Sequence, residues 1–317
     1  MKVLMRGRDL SDEYLRFAQQ IGADGLDIHH GADIPGCSKQ GYPDREGLQR
    51  LMDRLSAAGL GVYRVAPMDP ARYLRGEDGG EEDVDNLRRT LEAFGEVGIP
   101  FMSMPVHLGN PGTAGWDTHV HRGGYTFGGF DVQRMERNLA AKPYVDPVPM
   151  DLHWERCVEL YSRLVPVAEG CGVKLITHPS DPPLPNTDLS PRRWFGLMDA
   201  VPSDYNGLLF CVGTRYESGA DVCESIRTWG KRGKILHTHI RNVRGTIPSS
   251  GGYEEVAIDD GDMDMLQILR TLQEVGFDGG LQIDHLPDYD FDDEHQKVAS
   301  AFAVGYLKAL LAGLKST

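Results

Sequence analysis

Four side chains of the types that bind metal ions lie at the ends of four short apolar segments. His178 ends KLITH, Cys211 ends LLFC, His239 lies near the end of ILHTHI, and Asp284 ends LQID. Turn or loop residues follow, as is typical of strands that stop at a functional side chain. Imidazole, thiolate and carboxylate together suit a divalent transition metal. The sequence therefore predicts one metal site built from distant parts of the chain.

Each of these side chains also has an ordinary structural alternative. A strand histidine is often a hydrogen-bonded core residue, and a buried cysteine often packs as a small apolar side chain. The shared position at strand ends favours the metal role, whereas Cys157, Cys171 and Cys223 lie in helical segments and are predicted to be structural. A structural zinc site would use several closely spaced cysteines. The mixed set favours catalysis with manganese or ferrous iron, and zinc and magnesium stay open as alternatives.

Strands and helices alternate along the chain, which determines where these residues meet. Amphipathic segments such as SDEYLRFAQQIG separate eight apolar segments, and glycine follows several predicted helices, as in AAGLGV and EVGIPF. Eight parallel strands predict a (β/α)8 TIM barrel, in which strand ends converge on one mouth. The predicted strands cover residues 1–7, 23–30, 60–67, 99–106, 173–179, 207–213, 234–243 and 280–285.

The barrel accounts for residues 1–317 as a single domain with one long insertion. Residues 107–150 follow the fourth strand and show no clear helical or strand periodicity. A loop of this length over the mouth of an enzyme barrel is often a lid. The alternative is a contact between subunits.

Composition restricts the class of protein. A net charge of −14 without a basic patch argues against nucleic acid as a partner and favours a small molecule. Five cysteines and no secretory leader are typical of a cytoplasmic protein. We expect no membrane-spanning segment, because no apolar run reaches the roughly 20 residues that a span needs.

The last two predicted strands add charged neighbours to the metal site. Period-two alternation places His237, His239 and Arg241 on one face of the seventh strand, with His237 deeper in the barrel. Arg241 is suited to gripping a substrate carboxylate, or else forms a surface salt bridge. His285 follows Asp284 and is a candidate ligand, base or substrate contact.

Four other polar residues end strands at the same mouth and are candidates for substrate binding. Arg6 ends the first strand and could reach an anionic substrate. The others are His29, Arg64 and His107, which end strands two, three and four. In the GDMDM segment, Asp262 and Asp264 are predicted to cap the following helix.

The motifs HPSDPP, NGLLFCVGT, HTHIRNV, GDMDM and IDH, in this order, resemble the mannonate dehydratase family of the xylose-isomerase-like barrels. The resemblance implies dehydration of mannonate to 2-keto-3-deoxygluconate with a divalent metal, commonly manganese, and a homodimer. It maps the metal ligands onto His178, Cys211, His239 and Asp284, and a further family histidine onto His285.

The sequence also departs from the family pattern. Ile258, Asp259 and Asp260 stand where the family usually carries a His-Leu pair before Gly-Asp, and Leu286 replaces a glycine. His295 stands where the family has a catalytic tyrosine, and Tyr289 lies nearby. The acid/base candidates are therefore His285, His295 and Tyr289. A metal-dependent sugar isomerase or epimerase is the alternative enzyme, and a non-enzymatic barrel that binds a sugar or a protein is a third reading.

Overall fold

The structure, a computed structural model, describes residues 1–315 and confirms the predicted closed barrel. Its strands run in the parallel order β1-β12-β9-β8-β7-β4-β3-β2. The strands are β1 Lys2–Arg6, β2 Gly25–Ile28, β3 Gly61–Val65, β4 Phe101–Ser103, β5 Trp116–Val120, β6 Thr126–Asp131, β7 Lys174–Thr177, β8 Asn206–Cys211, β9 Ile235–Ile240, β10 Asn242–Arg244, β11 Gly252–Val256 and β12 Gly280–Ile283.

Helices cover the outside of the barrel and bury their apolar faces against it. The cap of the helix after GDMDM is Asp264, which accepts a hydrogen bond from the backbone N–H of Gln267 at 3.0 Å, whereas Asp262 accepts from Gly245. The helices are α1 Asp12–Gln20, α2 Cys37–Gln40, α3 Arg45–Ala57, α4 Ala71–Arg75, α5 Gly80–Val97, α6 Val132–Ala141, α7 Met150–Cys171, α8 Pro191–Ala200, α9 Val212–Glu217, α10 Val222–Lys231, α11 Ile247–Ser250, α12 Met265–Glu274 and α13 Lys297–Lys315.

The insertion is more regular than its sequence indicates. It contains the β5–β6 hairpin and α6, and the hairpin joins β10 and β11 in a four-stranded antiparallel sheet ordered β10-β11-β6-β5. Thr126 pairs with Asp288, in the loop after β12. The strands of this sheet are short, and β6 contains two glycines. Because β6 pairs with the distant β11, the periodicity of the sequence does not reveal the sheet. The role of this insertion as a lid, or as a contact between subunits, stays a prediction.

The terminal helix corrects the expectation that no segment has the dimensions of a membrane span. Helix α13 is 19 residues long and apolar enough to cross a membrane by length and composition alone. Its buried residues Ala299, Ala303, Val304 and Leu307 belong instead to the barrel core. The helix therefore closes the outer layer of the barrel.

Glycine at helix ends gives a test of the local fold. Gly98 follows α5 with φ +77°, whereas Gly305 lies exposed inside α13 with ordinary helical geometry, and neither has a neighbour that a methyl group would meet. Gly98→Ala should destabilise the protein by about 1–2 kcal/mol, because L-residues avoid positive φ. Gly305→Ala should stabilise it by about 0.5–1 kcal/mol. Urea unfolding of both variants measures these changes in the free energy of unfolding. Equal changes would contradict the positive φ at Gly98 and the helical conformation at Gly305.

Candidate metal centre

The four predicted ligands converge on one point of the barrel mouth. His178 directly follows β7, Cys211 ends β8, His239 lies in β9, and Asp284 directly follows β12. These strands are neighbours in the barrel, and Cys211 pairs with His239 in register. One ligand atom from each side chain lies within 4.8 Å of the others. The alternation of strands and helices thus brings together four residues that are spread along the chain from His178 to Asp284.

The histidines present free ring nitrogens to this point. Nδ1 of His178 donates to the carbonyl of Pro179 at 2.6 Å, which fixes the tautomer and leaves Nε2 buried without a partner. His107 supports the same turn, since its Nε2 donates to the His178 carbonyl at 3.1 Å. Nε2 of His239 is also buried and unpartnered. A metal ion satisfies such orphaned acceptors, so the residues present fit one.

Burial and neighbouring charges shift the pKa values of the ligand side chains. It lowers the pKa of His239 to about 4, against the opposing effect of Asp284, so this imidazole is neutral near pH 7. Burial disfavours ionisation of Asp284, but the nearby His239, His285 and Arg241 outweigh it and hold its pKa well below the usual value. Burial raises the pKa of the Cys211 thiol to about 12. Only the thiol must lose a proton to bind a metal.

Arg241 is placed differently from both expectations. Its side chain is 1% exposed, so it does not form a surface salt bridge. Nη1 lies 2.5 Å from carboxylate oxygens of Glu217 and Glu255, and Nη2 donates to Asp181. Nε lies 3.5 Å from Oδ2 of Asp284. Nη1 and Nη2 already bind carboxylates of the protein, while Nε is buried without a hydrogen-bond partner. The side chain therefore orders the site and has no free pair of N–H groups with which to bind a substrate carboxylate.

His285 lies at the edge of the ligand cluster, close to two carboxylates. Its Nδ1 donates to Oε1 of Glu255 at 2.7 Å, and its Nε2 lies 3.7 Å from Oδ2 of Asp284. Burial lowers its pKa, but these two carboxylates outweigh burial and raise it to about 9. Sequence reasoning missed Glu255 because β11 lies outside the barrel repeat. The side chain thus holds a transferable proton beside the metal site.

A second polar chain lies deeper in the barrel, beneath the ligands. His237 donates from Nε2 to Asp27 at 2.6 Å, and Nε of Arg64 donates to the same carboxylate oxygen at 3.2 Å. Burial opposes ionisation of Asp27, yet His237 and Arg64 lower its pKa. The ring of His29 stacks against that of His239, with centroids 5.9 Å apart. The predicted mouth residues Arg64 and His29 therefore support the site from below.

The other two acid/base candidates are not brought together with the ligands. His295 packs edge-on against Tyr14, with ring centroids 5.8 Å apart, and its Nε2 lies 3.9 Å from Glu294. Tyr289 packs against Tyr125 of the insertion and Phe291. Among the three candidates, only His285 contacts a ligand residue in the described chain, residues 1–315.

Comparison with known proteins shows the family to which this chain belongs. The model of the UxuA D-mannonate dehydratase family matches residues 118–315, more than half of the chain. The chain belongs to this family. The matched segment carries all four ligands and His285, as the resemblance of the motifs implied.

Individual relatives support the assignment. The mannonate dehydratase of Thermotoga maritima is 30% identical over 170 residues, which cover 51% of this chain and 47% of that protein. The chain thus aligns with about half the length of this relative. Mannonate dehydratase 2 of Halalkalibacterium halodurans is 26% identical over 279 residues, 82% of this chain and 73% of that protein.

A solved structure agrees with the fold along the whole chain. The crystal structure of mannonate dehydratase from Streptococcus suis superposes with a TM-score of 0.79 and 21% identity. The superposition covers 99% of this chain and 95% of that one. At this identity the likeness establishes the barrel architecture, and the ligand geometry described above is what connects it to chemistry.

Replacing the sulfur tests the metal site. Cys211→Ser should lower metal affinity by about tenfold or more, because a hydroxyl is a poorer ligand than a thiolate for a transition metal. It should change folding less than metal binding. Metal content after dialysis and thermal unfolding measure the two effects, with Cys223→Ser, on the outer helix α10, as the matched control. Equal metal content in Cys211→Ser and wild type would remove Cys211 from the ligand set.

The raised pKa of Cys211 also predicts how metal binding depends on pH. Because the thiol is protonated near pH 7, binding must release about one proton, and affinity should rise about tenfold per pH unit. Titration calorimetry in buffers of different ionisation enthalpy counts the proton. Cys211→Ser should bind metal without that release. A pH-independent affinity in the wild type would show that the thiol stays protonated.

Proposed function

We propose that this protein is a metal-dependent sugar-acid dehydratase that converts D-mannonate to 2-keto-3-deoxy-D-gluconate. The observation that supports this proposal is the four-residue cluster with His285, hydrogen-bonded to Glu255, at its edge. Removal of water from a polyhydroxy acid needs stabilisation of the charge that develops when the α-proton leaves, and an acid for the departing hydroxyl. Family membership supports the same reaction.

The ligand types narrow the choice of metal. One thiolate, two imidazoles and one carboxylate suit Fe²⁺ and Zn²⁺, and Mg²⁺ is the poorest match to sulfur. Mn²⁺ is the metal that the family resemblance implies. When bound, a divalent ion polarises the carboxylate and neighbouring hydroxyl of the substrate. His178, Cys211, His239 and Asp284 would hold it.

The protein's own side chains would manage the protons. The C2–H and C3–O bonds break and a C2=C3 double bond forms, which gives the keto acid by tautomerisation. A basic group takes the C2 proton, and the imidazolium of His285 gives its proton to the C3 hydroxyl, which leaves as water. Glu255 orients the ring through its 2.7 Å hydrogen bond and stabilises its charge. Arg241 fixes Glu255 and Asp284 relative to each other. Phe127 and Gly128 of β6 line the pocket that contains His285, so the insertion forms one wall of it.

A sugar isomerase or epimerase is the second candidate. The departures at Ile258 and His295 favour it, because the family's usual histidine and tyrosine are replaced there. A metal-bound hydroxy-ketone can rearrange through an enediol at the same centre without losing water. We also expect a homodimer that acts on a small molecule in the cytoplasm, and light scattering checks the oligomeric state.

The reaction is tested with metal-depleted protein that is reloaded separately with Mn²⁺, Fe²⁺, Zn²⁺ or Mg²⁺. We expect D-mannonate to lose one water and give a 2-keto-3-deoxy acid, detected by mass spectrometry, with the highest rate for Mn²⁺ or Fe²⁺. Rearrangement of ketoses without any dehydrated product would support the second candidate. No turnover of either class would favour a binding protein.

The proposed acid is tested by His285→Asn. Turnover should fall by about 10²–10⁴-fold, because general acid catalysis contributes on that scale, while the metal content should stay close to that of the wild type. His295→Asn discriminates between the sequence-based candidates, since its side chain contacts Tyr14 rather than the ligands. If His295→Asn abolished turnover and His285→Asn did not, the assignment of the acid would be reversed.

A further inference from the structure

Two arginines at the end of β1 have no carboxylate partner. Arg6 and Arg8 flank Gly7, and within residues 1–315 neither guanidinium forms an ion pair or a side-chain hydrogen bond with the protein. Nε of Arg8 is buried and unpartnered. Other arginines of the barrel mouth differ, since Arg64 binds Asp27 and Arg241 binds several carboxylates.

The two free charges are crowded together. Burial lowers the pKa of Arg6, and the nearby positive charges of Arg8 and Arg64 act in the same direction, while Asp284 opposes them. Unpaired like charges destabilise a folded protein unless an anion neutralises them. β1 is hydrogen-bonded to β12 with Leu4 opposite Gln282, so Arg6, two residues further along, lies level with Asp284 at the metal centre.

A pocket connects Arg8 to the proposed acid. It has a volume of ≈ 240 Å³ and is open to solvent. This is close to the lower end of the roughly 300–1,000 Å³ range of small-molecule sites. It is lined by Arg8, Phe127, Gly128, Glu255, His285, Leu286, Asp288 and Gln296. A ligand in this pocket would contact the Arg8 guanidinium and the His285 ring together.

Gln296 supplies a second polar group to the pocket. Its Nε2 donates to Oδ1 of Asp288 at 2.7 Å and to the carbonyl of Leu286 at 3.3 Å, while Oε1 is buried without a partner. Its φ of +52° is the one positive value at a non-glycine residue in the described chain. Such backbone strain is found where a site needs a particular side-chain position. The free amide oxygen can accept a hydrogen bond from a substrate hydroxyl.

We propose that Arg6 and Arg8 bind the carboxylate of the substrate and that Gln296 contacts one of its hydroxyls. We call Arg6, Arg8 and Gln296 the anion subsite, and its assignment rests on the proposed function. Its arginines would bind the substrate carboxylate, the role that the sequence analysis gave to Arg241. The carboxylate would lie between the two guanidinium groups and the metal centre, with the hydroxylated carbons beside His285. The subsite selects sugar acids over neutral sugars, because a neutral ligand leaves both charges uncompensated.

Titration calorimetry with Mn²⁺-loaded protein tests this subsite, in the His285→Asn background to prevent turnover. The probes are D-mannonate and its neutral analogue D-mannitol. We expect mannonate to bind about tenfold tighter or more than mannitol, since hydrogen bonds between charged groups are the strong ones. Arg8→Gln and Arg6→Gln should each remove most of this preference and leave mannitol affinity unchanged. Arg8→Lys should retain part of it.

Arg16→Gln is the matched control, because Arg16 is exposed on α1 and the change in net charge is the same. Metal content and thermal unfolding identify variants that are damaged elsewhere. Equal binding of the two probes before any arginine is replaced, or an unchanged preference in both Gln variants, would overturn the subsite. The proposed reaction is judged separately, with His285 intact. If the Gln variants lose the preference for mannonate but the wild-type protein does not dehydrate mannonate, the subsite is retained and the proposed reaction is rejected.

Discussion

The compensation of buried charge at the barrel mouth is the constraint on which the site depends. Four carboxylates, those of Asp181, Glu217, Glu255 and Asp284, lie around the single guanidinium of Arg241. Burying them is costly unless each charge is paired or neutralised. Burial raises the pKa of Glu217 well above its usual value, against the effect of Arg241, and so disfavours its charged form. The cationic His285 and a bound metal ion would balance the rest.

The barrel and its ligands were predictable because local signals specify them. Each strand is a short apolar run, the glycines after α3, α5, α7 and α12 adopt positive φ, and closure of the barrel then brings the strand ends together. Three of the four carboxylate partners of Arg241, those of Asp181, Glu217 and Glu255, were not predictable. They lie on a loop, on the short helix α9 and on β11, and only long-range folding places them at one side chain. The charge of His285 likewise depends on Glu255, which no strand-end rule identifies.

Ile258, Asp259 and Asp260, at which this chain departs from the family pattern, form structural contacts. Asp260 accepts hydrogen bonds from Tyr125 and Arg244, and Asp259 binds Arg122. Tyr125 and Arg122 belong to the turn of the insertion hairpin. The two aspartates therefore hold the insertion to the segment after β11, and Ile258 packs in the core beside them.

The distribution of site residues along the chain has a consequence for how this protein can diversify. All four ligands follow residue 170, within the part that the family model matches, whereas Arg6, Arg8, His29 and Arg64 precede residue 107. The four candidate metal ligands and the two arginines of the proposed carboxylate subsite thus come from different halves of one barrel. Under the proposed function, replacement of Arg6 or Arg8 would alter the carboxylate contacts and leave the four ligand side chains in place, so substrate preference could change without a change in the ligand set.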